Sequence, residues 1–261
     1  MTCVDQQAVG WGIDDSTPRP IGSPDAAYRV VLDVLQGLSA HTVLDCPAGE
    51  GAFAMRLLRA GYEVCCCDIL PCQFKLDEIL CDYCDLNSSV PFGDDQFDVV
   101  TCLNGLHRVW ARGRAMKEMA RVLRPGGKLI LTFVNNTNLL HRFTFMATGS
   151  STYNTLGPPH VCLPEAENPA MCHRYPMTVG EVASAIESVG LKLSCLRWIR
   201  ISRASLLLAP LAPIAWLLRP LAPRNYKKFC QLSVASNAAV LFGDYLLVIA
   251  TKPDCRPFPP D

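Results

Sequence analysis

The sequence predicts an α/β fold: a mainly parallel sheet, doubly wound, with helices on both faces. Three observations carry this. Short apolar runs alternate with helical patterns from residue 42 to residue 133. Several of the runs, Val64-Cys65-Cys66-Cys67, Phe97-Asp98-Val99-Val100 and Leu129-Ile130-Leu131, are nearly continuous, as in strands buried on both faces and unlike those of a one-sided antiparallel sheet. The first run ends in an acid, Asp45, and a glycine turn, Gly49-Glu50-Gly51, leading into the helix-forming Phe53-Ala54-Met55-Arg56-Leu57-Leu58. A strand, a tight glycine turn and a helix N-terminus let backbone N–H groups approach a ligand closely.

Taken in order, residues 1–22 carry Gly, Pro and Asp irregularly and read as an arm, ahead of one domain over 23–261. Ser23-Pro24-Asp25 opens a helix, with serine as N-cap and proline in the first helical position. Its apolar residues Ala27, Val30, Val31, Val34 and Leu35 recur at helical spacing, and Gly37 closes it. Strands are expected at 42–46, 63–69, 79–84, 97–103 and 127–133. Helices are expected at 51–60, near 72–77 and at 112–124, the last ended by Pro125-Gly126-Gly127. The rhythm is lost over 134–175, read as an insertion over the ligand crevice. Thr178-Val179-Gly180-Glu181 is a capping box that opens a helix ended by Gly190, and 191–201 reads as a strand. A second insertion, rich in Leu and Pro, fills 203–240 before a last strand at 245–251.

Composition narrows the function. The 261 residues are 50% hydrophobic and 18% charged, enough for a large core in one domain. Lysine plus arginine number 24, as do aspartate plus glutamate, which argues against nucleic acid held by bulk charge. The first residues, MTCVDQQAVGWGIDD, do not read as a signal peptide, and no apolar run reaches spanning length, so a cytoplasmic protein is expected. Fourteen cysteines then read as reduced thiols, many acting as small buried hydrophobes.

The glycine turn alone leaves several ligands open. A phosphate loop is excluded, because no Gly-Lys-Ser/Thr follows the glycines. A dinucleotide fingerprint is partly met by Gly49, Gly51 and Ala54, with Asp68 at the distance of a ribose acid. Asp45 favours another ligand, since a carboxylate at the strand end repels a pyrophosphate and orients an ammonium group. A second acid, Asp85, follows the third strand in Cys84-Asp85-Leu86-Asn87.

These segments, VLDCPAGEGAF, CCCDI, CDLNSSVPFGDDQFDVV and RVLRPGGKLILTF, together resemble the class I S-adenosylmethionine-dependent methyltransferases. The resemblance covers about residues 25–133 and extends more loosely to the last strand. It implies a Rossmann-like, seven-stranded sheet whose last strand is antiparallel, S-adenosyl-L-methionine as cofactor, and methyl transfer to an oxygen or nitrogen nucleophile. It implies that Asp45 and the turn Ala48, Gly49, Glu50 and Gly51 hold the methionine end, and that Asp68, with Ile69 beside it, takes the ribose hydroxyls. Asp85 and the Leu86 backbone would take the adenine, and the Asn104 carbonyl the ammonium group. One departure from the pattern is Pro47, which stands where the family usually has glycine and stiffens the turn. A nicotinamide-dependent oxidoreductase and a non-catalytic member of the fold are the alternative readings.

Two histidines are candidate bases. His107 follows the fourth strand, at the crevice beyond the strand ends, and His173 lies just before the capping box. No metal is expected. Cys81 and Cys84 have knuckle spacing, but no second Cys-x-x-Cys pair exists, and Cys65, Cys66 and Cys67 alternate across a strand and cannot converge. Residues 203–228 set Leu206–Leu208, Leu211, Ile214, Trp216, Leu217 and Leu218 among Arg203, Arg219, Arg224, Lys227 and Lys228. This segment reads as an apolar cap, a homodimer contact or an interfacial membrane segment. The expected acceptor is a small molecule, a lipid-linked molecule or a glycan.

Overall fold

A computed structural model describes Pro18, Pro20 and residues 24–148, 177–213 and 238–254. Its seven strands are β1 (Thr42–Asp45), β2 (Glu63–Asp68), β3 (Cys81–Tyr83), β4 (Phe97–Leu103), β5 (Leu123–Val134), β6 (Lys192–Ile201) and β7 (Gly243–Thr251). The helices are α1 (Asp25–Gln36), α2 (Ala52–Arg59), α3 (Arg112–Val122), α4 (Leu139–Thr148), α5 (Val179–Ser188), α6 (Arg203–Leu207) and α7 (Ala238–Phe242). They form one sheet in the order β3-β2-β1-β4-β5-β7-β6. Pairing is parallel from β3 through β5, and β7 runs antiparallel to both neighbours. The strand order steps away from β1 in both directions, so a crevice opens above the C-terminal ends of β1 and β4.

Period-two alternation along buried strands makes two cores. Val43, Val64, Val99, Ile130 and Leu247 face α1 and α2, where they pack on Tyr28, Val31, Leu35, Phe53 and Leu57. Their chain neighbours Leu44, Val100, Leu129, Leu131 and Val248 face the other way, onto Met116 and Met119 of α3 and Val182 and Ile186 of α5. The α5 capping box is complete: the Glu181 N–H donates to Thr178 Oγ1 at 3.1 Å, and the Thr178 N–H to Glu181 Oε2 at 2.8 Å. Gly190, at φ 78°, then supplies the left-handed residue after that helix.

Four expectations need correction. The first helix begins at Asp25, so Pro24 holds the N-cap position with extended ψ, one place before the helical position assigned to it. The helix near 72–77 is only a 3₁₀ turn, Pro71–Gln73, because the chain beyond it crosses the glycine turn instead of coiling. The helix at 112–124 stops at Val122. There Leu123 pairs with Phe97 and the next pair is Val99–Lys128, so Arg124-Pro125-Gly126-Gly127 bulge out of a longer β5. The region after residue 134 is also not wholly irregular, since α4 occupies Leu139–Thr148. The remainder of both insertions, 149–175 and 214–237, lies outside the described residues, as does most of the arm.

A carboxylate fastens the opposite end of the sheet. Asp98 Oδ2 accepts from the N–H groups of His41 (2.9 Å) and Thr42 (3.0 Å) and from Thr42 Oγ1 (3.1 Å), while Oδ1 accepts from Arg124 (2.9 Å). Partial burial works against its charge, but these donors outweigh it and hold the carboxyl down to about 2. A folded-state value below the unfolded one means stability present above about pH 4 and lost as pH falls towards 2. Asp98→Asn should therefore cost about 1–3 kcal/mol at neutral pH, the scale of hydrogen bonds to a charged group. Urea titrations should show the gap between variant and natural chain closing in acid, and a gap that does not change with pH would refute the role.

Candidate ligand site

The chemistry-bearing residues sit where four parallel strands end. Asp45 closes β1 and is fully buried; its Oδ1 accepts from Thr101 Oγ1 of β4 at 2.8 Å. Burial pushes its carboxyl up to about 7, against the Thr101 hydroxyl and with repulsion from Asp68. Asp68 closes β2. One of its oxygens accepts from the Gly49 N–H at 2.8 Å and the other from the Leu70 N–H at 2.9 Å, so one carboxylate ties the end of β2 to the glycine turn of β1. Ile69, between these partners, is exposed.

The turn needs its glycines. Gly49 has φ 57° and Gly51 φ 91°. A Cβ on Gly51 would lie 2.9 Å from the Phe74 ring and 3.1 Å from Leu76. The segment after the 3₁₀ turn thus crosses the turn and is pinned by an ion pair, Lys75 to Glu50 at 2.9 Å. Ala48 is buried, and its N–H donates to the Cys67 carbonyl.

Asp85 follows β3 in a tight turn. Its Oδ1 accepts from both the backbone N–H (2.8 Å) and the side-chain amide (2.9 Å) of Asn87, and among the described residues Oδ2 accepts from none. Asn87 in turn accepts from the N–H groups of Trp110 and Ala111, which joins this turn to the start of α3. Leu86 is buried. Asn104 follows β4 in the left-handed region at φ 56°, a conformation that asparagine tolerates, with its N–H on the Thr132 carbonyl. His107 follows in a 3₁₀ turn, Leu106–Arg108, half-buried at the same crevice. Asp45, the Ala48–Gly51 turn, Asp68, Asp85, Leu86, Asn104 and His107 thus all stand at or just after the C-terminal ends of β1 to β4. His173 lies outside the described residues.

Two arrangements escaped sequence reasoning. Pro47 is matched by a glycine 58 positions along the chain, for a Cβ on Gly105 would overlap Cδ and Cγ of Pro47 and lie 3.1 Å from Cys102 Sγ. Cys46, Cys67 and Cys84 meet in the core, with their sulfurs all within 4.8 Å of one another. Hydrogen bonds from Cys46 and Cys67 hold the Cys84 thiol well below its ordinary range, and the same contacts with burial push Cys46 well above it. Neither Cys-x-x-Cys spacing nor alternation along Cys65–Cys67 foretells this cluster, because both concern neighbours within one segment. The legible sign was that three cysteines stand directly beside Asp45, Asp68 and Asp85, the three acids of the crevice.

Residues 44–131 match a family model described as a methyltransferase domain. The demethylmenaquinone methyltransferase of Paenarthrobacter aurescens (strain TC1) is 32% identical over 107 residues, 40% of this chain and 42% of that protein. The protein of the same name from Mycobacterium tuberculosis (strain ATCC 25618 / H37Rv) is 34% identical over 161 residues, 59% of this chain and 65% of its own. The chain thus spans less than two thirds of the length of these curated relatives. Among solved structures, the [4+2]-cyclase SpnF is similar at a TM-score of 0.56 and 19% identity, covering 90% of this chain and 89% of that one. An S-adenosylmethionine-dependent methyltransferase from Mesorhizobium loti is similar at 0.53 and 15% identity, covering 87% and 97%. Both likenesses concern the fold.

The packing of Pro47 on Gly105 predicts a coupling. Gly105→Ala should destabilise the chain by about 1–3 kcal/mol, as overpacking does. In a Pro47→Ala background, which removes the ring atoms it meets, the same change should cost at least about 1 kcal/mol less. Additive losses in a thermal or urea double-mutant cycle would show that the two residues do not oppose each other.

Proposed function

We propose that this chain, which matches a methyltransferase-domain model over residues 44–131, is a class I S-adenosylmethionine-dependent enzyme that transfers the cofactor's methyl group to an oxygen or nitrogen nucleophile. The observation that carries the reading is the convergence of Asp45, Asp68 and Asp85 on the crevice at the ends of β1, β2 and β3. Acids at a strand-end glycine turn suit a cationic ligand that also bears a ribose and an adenine, and they repel the pyrophosphate of a nicotinamide dinucleotide. The donor set fits the cofactor. Each Asp68 oxygen accepts one backbone N–H and keeps a lone pair for a ribose hydroxyl. Asp85 keeps Oδ2 for the adenine amino group, beside the Leu86 backbone. Asp45, the Ala48–Gly51 turn and the Asn104 carbonyl would hold the methionine end.

Bound there, S-adenosylmethionine supplies an electrophilic methyl on a sulfonium. The chain's own contribution is chiefly to hold cofactor and acceptor in line and close together. For an acceptor that must lose a proton during transfer, His107 would serve as the base. An apolar surface beyond the ends of β5 and β6 would take the acceptor. β5 leads into α4 and β6 into α6 at the same end of the sheet, and the two helices are joined by the Leu140 N–H on Ser205 Oγ at 3.3 Å. Met146 (75% exposed), Leu207 (83%), Phe143 and Phe145 are uncovered there, which supports a small or lipid-linked acceptor with an apolar body. The same surface supports a peripheral membrane contact through 203–228, most of which, with Trp216 and Leu217, lies outside the described residues. No helix among the described residues is long and apolar enough to cross a membrane.

Incubating the chain with methyl-labelled S-adenosylmethionine and candidate acceptors tests the reading, with a demethylmenaquinone first because the curated relatives bear that name. Label on an oxygen or nitrogen of a product supports it; label on a ring carbon of the demethylmenaquinone would uphold methyl transfer and overturn the oxygen or nitrogen nucleophile. Retention of a nicotinamide cofactor by the purified chain, seen by mass spectrometry, would overturn the reading. His107→Ala should lower kcat by roughly 10²–10⁴-fold with cofactor binding intact; near-normal turnover would remove it as the base.

Asp45 gives the binding a pH dependence. To hold an ammonium group it must be a carboxylate, and alone it is half protonated near pH 7. Affinity should therefore rise up to tenfold per pH unit from about 5.5 to 7 and then level off, with a proton released on binding in the acidic range. Calorimetry in buffers of different ionisation enthalpy reads this directly. A flat profile with no proton release would take Asp45 out of the site. Asp68→Ala, checked to be folded, should weaken binding by roughly 1.5–3 kcal/mol; an unchanged dissociation constant would remove Asp68.

A further inference from the structure

Beneath the crevice the sheet carries a second constellation that methyl transfer does not use. Asp45, Cys46 and Thr101 close the β1–β4 pairing, and the parallel register that sets Asp45 beside Cys66 carries Cys46 alongside Cys67. β2 and β3 align Cys67 with Asp82, so Cys84, two residues on, lies on the same face. All three thiols belong to the core on the α3 and α5 side, among Leu44, Val90, Cys102 and Leu106. Each is almost wholly buried, and Cys84 Sγ also reaches the Ser89 carbonyl at 3.5 Å.

We propose that Cys46, Cys67 and Cys84 form a binding site for a soft, thiophilic d¹⁰ metal ion, with Cu(I) in three-coordinate sulfur geometry as the best fit. Sulfurs bound at about 2.3 Å around a trigonal ion stand about 4 Å apart, by the metal–thiolate distance seen for zinc. The observed triangle, with every side within 4.8 Å, needs only a small inward movement to reach that spacing. The ligand set is all thiol, which selects Cu(I) and zinc over hard ions. Among the described residues no fourth His, Cys, Asp or Glu joins the cluster, so a trigonal ion suits it better than a tetrahedral one. Binding forms three metal–sulfur bonds, and each ligating thiol gives up its proton to solvent. The three ligands come from strand ends far apart in sequence, so the site exists only in the folded sheet. They are chain neighbours of Asp45, Asp68 and Asp85, so the ion would sit directly behind the acids of the crevice. The inference does not depend on the methyltransferase reading.

The test uses the full chain, reduced and kept anaerobic, with Cu(I) delivered against a colorimetric Cu(I) chelator. One tight equivalent is expected, and X-ray absorption of that complex should show three sulfur ligands at a single short distance. Cys67→Ser and Cys84→Ser should each weaken that equivalent by at least about 100-fold, more than the 10–100-fold typical of losing an outer-shell partner. Cys72→Ser, at an exposed cysteine outside the cluster, should leave it unchanged. No stoichiometric uptake by the natural chain, a spectrum with nitrogen or oxygen ligands, or loss of the equivalent in Cys72→Ser would overturn the proposal. If the serine variants fail to fold, the coordination number from the natural chain decides alone: three sulfurs uphold the site and any other set refutes it.

Discussion

The inner strands of this sheet are covered on both faces and leave little room for a polar group along their length, and that constraint organises this molecule. Val43 and Leu44, Val99 and Val100, and Ile130 and Leu131 each send one side chain into one core and one into the other. Polar function is displaced to the strand ends. At the amino end it becomes structural, with Asp98 gathering donors from the start of β1 and from the β5 bulge. At the carboxyl end it becomes a site, because the strand order leaves a crevice above β1 and β4.

At that carboxyl end, alternation sorts chemistry by face. The acids Asp45, Asp68 and Asp85 stand at the crevice, and the thiols one residue away fall together in the core beneath it. Asp68 couples the layers, since its two oxygens hold Gly49 and Leu70 and the Ala48 N–H rests on the carbonyl of Cys67. The glycine turn is thus set by the end of a neighbouring strand, by Phe74 and Leu76 over Gly51, and by the Lys75–Glu50 pair. A rigid turn placed in this way costs little reorganisation when a ligand arrives.

Much of this was legible in the chain because it is local. Apolar runs, the Thr178–Glu181 capping box and Gly190 each announce themselves within a few residues, and the strand-end acids were found by their place after such runs. What was not legible depends on contacts between distant segments. Leu123 becomes a strand residue because Phe97 is there to pair with it, so helical periodicity through 124 misleads. The segment after Pro71 stays extended because it packs over Gly51. Pro47 departs from the expected glycine, and the room for its ring comes from Gly105, 58 residues further on. The thiol triad joins residues 46, 67 and 84 through strand register alone, and no spacing motif encodes register.

The account rests on the strand-end acids holding one adenosine-bearing cation. The most direct measurement is a crystal structure of the chain with S-adenosylhomocysteine, which shares every group of the cofactor except the methyl and its charge. The account predicts the ribose hydroxyls on Asp68, the adenine between Asp85 and Leu86, and the amino group near Asp45 and the Asn104 carbonyl. A ligand seated away from these residues, or no ligand at saturating concentration, would contradict it.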